Sequence, residues 1–154
     1  MDIQLPLLNL PSYKFSFKKN EDGQLLIFDE VRKKYLVLTP EEWVRQNFVK
    51  YLISEKKVPK GLIGIEKEII VNNRKQRYDL AVFNKTMKPM LAVECKTYTD
   101  KLTQKAFDQI ARYNITLGVS MLAVTNGFDH FYCSIDLDQK KYQFIKELPE
   151  FLQL

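Results

Sequence analysis

The chain reads as an α/β domain on a mixed sheet, preceded by a β-rich lead-in. Three observations predict this. Segments 62–71, 77–83 and 90–96 have strand composition and are joined by short polar turns. Segments 39–56 and 103–117 carry apolar residues at helical spacing. The apolar run 119–125 follows the second helix, as a buried strand does after a crossover. Strands joined by tight turns run antiparallel and a strand reached through a helix runs parallel, so the sheet is mixed.

The elements follow in order. Residues 13–38 predict a small antiparallel meander, in which Tyr13, Phe15 and Phe17 alternate with polar residues and Asn20-Glu21-Asp22-Gly23 makes a turn. Leu25 to Phe28 and Tyr35 to Leu38 are its other strands. Thr39-Pro40-Glu41-Glu42 is a helix start, with Thr39 as N-cap, Pro40 at the first helical position and Glu42 as capping-box partner. Val44, Phe48, Tyr51 and Leu52 then mark one face of a helix reaching about Lys56. Leu62 to Val71 and Arg77 to Phe83 form a hairpin, and a polar turn leads to Met90–Lys96. Ala106, Ile110, Tyr113 and Leu117 share a face of the second helix. Asn126-Gly127 is a turn, and Phe131 to Asp136 is the last pairing strand. One domain, 1–154, is expected, with a β-rich extension (1–38), a core (39–136) and a C-terminal tail (137–154).

Composition excludes several classes. Hydrophobic residues at 45% and charged ones at 28% fit a soluble globular chain rather than a disordered one. No apolar run reaches the ~18 residues of a membrane span, so no membrane partner is expected. Cys95 and Cys133 lack framework spacing and read as reduced thiols of a cytoplasmic protein. His130, the only histidine, is expected to be exposed beside a turn and cannot build a zinc site with two separated cysteines. Ser120 and Ser134 have no histidine-and-acid partners for hydrolase chemistry, and Trp43 reads as a packing residue. The net charge of +5 suits a polyanionic partner, but basic doublets such as Lys18-Lys19 and Lys140-Lys141 fall in turns and read as solvated surface.

Chemistry concentrates in two strands. The pattern acid-x-Lys occurs at Glu55-Lys57, Glu94-Lys96 and Asp138-Lys140, and only the second lies within an apolar strand. Alternation there puts Ala92, Glu94 and Lys96 on one face, and Asp79, Ala81 and Phe83 share a face of the preceding strand. If the strands are neighbours, Asp79 approaches Glu94, with alanines leaving room for an ion and a phosphate. Two carboxylates suit Mg²⁺, which keeps several waters. Lys96 is placed to orient a water or stabilise developing charge, and the backbone carbonyl of Cys95 is a further candidate ligand. An internal ion pair of Lys96 with Glu94 or Asp79 accounts for the same residues without chemistry.

Further pieces accompany these strands: Phe28-Asp29, Leu38-Thr39-Pro40-Glu41-Glu42-Trp43-Val44-Arg45-Gln46, Tyr78-Asp79-Leu80-Ala81-Val82-Phe83, Val93-Glu94-Cys95-Lys96, Asp108-Gln109-Ile110-Ala111-Arg112-Tyr113-Asn114 and Val124-Thr125-Asn126-Gly127. In this order they resemble the N-terminal nuclease domain of type I restriction enzyme R subunits, within the PD-(D/E)xK superfamily, over roughly residues 28–136. The resemblance implies a restriction-endonuclease-like core, αβββαβ with a mixed central sheet flanked by helices. It makes Asp79, Glu94 and Lys96 catalytic, although Tyr78 stands where the motif name has proline. It makes Glu42 a further metal candidate beside its capping role, and Gln109 and Tyr113 a Gln-x-x-x-Tyr element that meets nucleic acid or steadies Lys96, Tyr113 being alternatively a core residue. The implied function is Mg²⁺- or Mn²⁺-dependent hydrolysis of DNA, alone, as a homodimer, or with restriction-modification or repair subunits. The alternative is a catalytically silent nucleic-acid-binding or adaptor module of the same fold. No G-x-x-x-x-G-K-[ST] phosphate loop is present, so no ATP-driven translocation is expected of this chain.

Overall fold

A computed structural model describes residues 4–71 and 73–151. The lead-in is a three-stranded antiparallel sheet of β1 (Phe17–Lys19), β2 (Leu25–Asp29) and β3 (Lys34–Val37). Its first strand is shorter than the alternation predicts, because Phe15 packs on Trp43, with ring centroids 5.1 Å apart, rather than pairing in the sheet. Helix α1 (Pro40–Ser54) starts where its cap places it, with the Glu42 N–H donating to Thr39 Oγ1 at 3.0 Å.

The main sheet has six strands in the order β11-β10-β9-β8-β7-β4. These are β4 (Ile63–Ile65), β7 (Leu80–Phe83), β8 (Pro89–Cys95), β9 (Met121–Thr125), β10 (His130–Asp136) and β11 (Lys141–Ile145). Among the described residues only β8 and β9 pair in parallel, joined by helix α2 (Gln104–Leu117). Thr103 caps α2 by accepting from the Ala106 N–H, and Gly118 ends it at φ +84°, a conformation that a residue with a Cβ rarely adopts. The order α1, β4, β7, β8, α2, β9 is the expected αβββαβ core, with the mixed sheet and the helices in place.

Two departures from the sequence reading matter. The hairpin over 62–83 is split. Its outer part, β5 (Glu68–Val71) with β6 (Arg74–Arg77), is a separate two-stranded sheet, while β4 pairs with β7. The split lies where Glu66 adopts φ +52° and two backbone bonds, Glu66 N–H to Asp79 O and Tyr78 N–H to Lys67 O, bridge the strands. Strict alternation fails there. Tyr78 packs with Ala81 and Phe107 instead of with Leu80 and Val82, and its hydroxyl donates to the Asn114 side-chain oxygen. The second departure is β11, which lies in the expected tail yet pairs with β10 from Tyr132↔Ile145 to Asp136↔Lys141. The tail also adds Leu148 and Phe151 to the core.

Hydrophobic packing covers both faces of the sheet. Val44, Phe48 and Leu52 of α1 meet Leu80, Val82, Leu91 and Val93. Phe107 and Ala111 of α2 meet Ala81, Ala92, Leu122 and Val124. Burial of each larger side chain contributes roughly 1.5–3 kcal/mol, enough to fix β7 and β8 rigidly side by side.

Candidate active site

The β7–β8 register pairs Leu80 with Val93 and Ala81 with Ala92, so its next step places Asp79 opposite Glu94. Asp79 stands just before β7, where Oδ2 accepts the Cys95 N–H at 2.7 Å. This bond ties the carboxylate to the backbone of β8 beside Glu94. Its other oxygen, Oδ1, lies 3.4 Å from the Arg45 guanidinium on α1. The expected common face of Asp79 and Ala81 is therefore modified, with Asp79 turned toward the β8 backbone and α1.

Glu94 is half-buried, and among the described residues its carboxylate has no hydrogen bond or ion pair. Burial pushes its pKa up; Lys96 pulls it down, and the charge of Asp79 adds to the rise. Lys96 follows the end of β8. Its N–H donates to Thr125 O at 2.8 Å, which fastens the backbone to β9. Its side chain lines a cleft of about 240 Å³ on the α2 side, and no carboxylate lies within ion-pair distance of its ammonium among the described residues. The internal ion pair considered from the sequence is thus not formed. The structure brings Asp79, Glu94 and Lys96 together at one end of the β7–β8 pair.

The other predicted residues are placed differently. The Cys95 thiol is buried against the α1 side, and burial drives its pKa well up, so the thiol is inert and only its backbone faces Asp79. Glu42 is buried and its oxygens are taken by Arg45, Arg32 and Gln46. It does not complete a capping box. Gln109 is exposed on α2, and the side chain of Tyr113 lies outside the described residues. His130, expected to be exposed, is half-buried: its Nδ1 meets the Thr125 hydroxyl at 2.7 Å and its Nε2 meets Asn9 O at 2.8 Å. Trp43 packs as expected, its indole N–H donating to Pro6 O.

Sequence reasoning missed the Arg45 hub. Its guanidinium bonds Glu42 and Glu41 and reaches Asp79 and Glu66. The side chain is 6% exposed, and Nε has no partner among the described residues. The spacing Glu41-Glu42 to Arg45 signals the local pairs. Nothing local signals Asp79, 34 positions away.

Residues 40–149 match the family model of the type I restriction enzyme R protein N terminus (HSDR_N). The chain belongs to this family. Among solved structures, it is similar to a fragment of a proposed HsdR subunit of a type I restriction enzyme from Vibrio vulnificus, at 18% identity and TM-score 0.48, over 75% of this chain and 25% of that one. It is also similar to a proposed nuclease belonging to DUF820 from Anabaena variabilis, at 13% identity and TM-score 0.45, over 84% and 80% of the two chains. The chain thus spans about a quarter of the length of the HsdR fragment. No curated protein matches the sequence. Among the described residues no helix is long and apolar enough to cross a membrane.

Proposed function

We propose that the chain is a nuclease domain that hydrolyses phosphodiester bonds of DNA with Mg²⁺ or Mn²⁺. The observation that carries this is the Cys95 N–H bond to Asp79, which fixes one carboxylate on the strand that bears Glu94, itself without a hydrogen bond or ion pair among the described residues, with Lys96 two residues on. The donor chemistry fits a small hard cation. Glu94, pushed toward its neutral form by burial and by the charge of Asp79, has no cation at ion-pair distance among the described residues, and a bound metal ion would supply one.

Asp79, Glu94 and the Cys95 carbonyl would hold the cation; Glu42, saturated by arginines, would not. When bound, such an ion supplies Lewis acidity toward a water and the scissile phosphate. Lys96 contributes an ammonium at the cleft mouth that orients that water or stabilises charge on the phosphate. Arg45 and the Cys95 N–H fix the Asp79 carboxylate in one orientation. DNA delivery falls to restriction-modification or repair subunits, or to a second copy of the chain, in a cytoplasmic setting.

The test is incubation of plasmid and single-stranded DNA with the protein and Mg²⁺ or Mn²⁺, with Lys96→Ala as control. Metal-dependent cutting lost in the variant is expected; binding without cutting under every metal would sink the reading. A second reading has its own support. Arg45 already supplies positive charge to Asp79, as in a catalytically silent binding or adaptor module that keeps the fold. Such a module would lose stability, and no activity, on Asp79→Ala.

A further inference from the structure

The cleft beside Lys96 lies at the carboxyl ends of the parallel strands β8 and β9, against the start of α2. Ligands of open α/β sheets bind in that position. Its floor is apolar and aromatic, with Phe107, Ile110, Val124 and the half-buried Phe131, and the rings of Phe107 and Phe131 have centroids 5.3 Å apart. Its rim is polar, with Lys96, Lys101 and the carboxylate of Asp100. The loop bearing this rim is held by Asn126 Nδ2, which donates to Asp100 O at 2.7 Å.

A bare phosphate has no use for an aromatic floor, and an aliphatic ligand has none for two lysines. A nucleotide uses both. The volume of about 240 Å³ is below the roughly 300–1,000 Å³ of sites for drug-sized ligands, and suits one planar ring system. Lys96 is shared between the cleft and the candidate active site, so a base in the cleft and the phosphate beside it belong to one strand.

Resting on the nuclease reading, we propose that this cleft takes one unpaired nucleobase of the strand being cut. The substrate is then single-stranded DNA, or duplex opened at a frayed end, flap or bubble. Bases in an intact duplex are stacked and paired, and bringing one into the cleft costs the energy of unstacking it, which is least where the strand is already open. Phe131 provides the stacking face and Lys101 neutralises the flanking phosphate.

Fluorescence anisotropy in EDTA, where no strand is cut, tests this with a labelled oligothymidylate of about 12 nucleotides, the same strand with one abasic site moved along it, and a blunt duplex of equal length. The expected result is binding about tenfold tighter to the single strand than to the duplex, and one abasic position that costs about tenfold. Phe131→Ala and Lys101→Glu should each weaken binding, and Phe131→Ala should remove the sensitivity to the abasic position. Because Phe131 also packs in the core, Lys101→Glu, at an exposed position, serves as the variant that leaves folding intact. Equal binding of strand and duplex, no sensitive abasic position, or unchanged binding by Lys101→Glu would overturn the proposal. Base preference in EDTA without any metal-dependent cutting would count against the nuclease reading and leave the cleft standing. Metal-dependent cutting of intact duplex without base preference would do the reverse.

Discussion

Asp29 and Glu94 are both acidic residues on strands of this molecule, and their surroundings have opposite effects. Asp29 is fully buried, yet accepts hydrogen bonds from the Val31 and Arg32 N–H groups, the Arg32 guanidinium and the Gln46 amide. Burial alone would raise its pKa, but these donors outweigh burial and hold it below the usual range. Glu94 has no such donors among the described residues, and burial, aided by Asp79, pushes it up against the opposing pull of Lys96. One region supplies positive charge and donors from the chain itself, with Arg32 and Arg45 serving Asp29, Glu41 and Glu42. The other leaves a carboxylate and an ammonium without hydrogen-bond or ion-pair partners among the described residues. Asp79 belongs to both, one oxygen on Arg45 and the other on the β8 backbone. The contrast separates acids that hold the fold together from acids that, in the proposed reading, are kept for a ligand.

The largest effect should come from breaking the saturated region. Arg45→Met leaves buried Glu42 short of its main counter-charge, and removing one partner of a buried pair costs about 3–5 kcal/mol. Urea denaturation should show that loss; a loss below about 1 kcal/mol would mean that water reaches the cluster and that its ion pairs behave as surface ones. The next effect is on chemistry. Lys96→Ala and Glu94→Gln should each reduce DNA cleavage by about 10²–10³, the scale of one lost electrostatic contact in a transition state. Neither should lower the melting temperature, since neither side chain is bonded within the protein among the described residues. A variant that lost stability in step with activity would move Glu94 into the structural class.

These two classes were unequally legible in the sequence. Thr39 as a cap, the β8–α2–β9 crossover and the approach of Asp79 to Glu94 all follow from local pattern or from the pairing of adjacent strands. Short-range rules suffice there, because the residues concerned are neighbours in sequence, in a tight hairpin or in strands joined by a single helix. Arg45 at Asp79, Gln46 at Asp29 and Asn9 at His130 join positions far apart, and only the packing of α1 and the N-terminal segment on the sheet brings them together. β11 escaped notice for another reason. As an edge strand it has exposed Lys141, Gln143 and Phe144, so its pattern resembles a solvated tail. The break at Glu66 depends on a positive φ at a residue type that rarely signals one.

Metal linkage sharpens the comparison further. A cation that binds only the folded site at a hundred times its dissociation constant adds about 2.7 kcal/mol of stability. Thermal melts with Mg²⁺ or Mn²⁺ should rise for the wild-type chain and stay flat for Asp79→Asn and Glu94→Gln. Glu42→Gln, whatever its own melting temperature, should retain the metal-induced rise. A flat response there would return Glu42 to the metal ligands.

The smallest effect concerns His130, whose two ring nitrogens are both engaged as in the saturated region, but by neutral groups. Nε2 carries the proton given to Asn9 O, so Nδ1 accepts from the Thr125 hydroxyl, whose oxygen accepts the Gly127 N–H. The ring stacks on Tyr132 and packs near Phe48, and among the described residues Asp129 is the charge that acts on it. Burial lowers its pKa below the ordinary value, against smaller raising effects of the Asn9 bond and Asp129. The unfolded chain therefore binds a proton near pH ~6.5 while the folded chain resists it. The contribution of the neutral ring to stability is complete above that pH and is lost as the pH falls through the lower, folded value. Melting curves of the wild type and His130→Gln between about pH 7.5 and pH 5 should therefore converge by a few degrees as acid is added. A constant gap would mean that the fold leaves the ring's proton affinity unchanged, and a widening gap that Asp129 compensates a charged His130 as the arginines compensate Asp29.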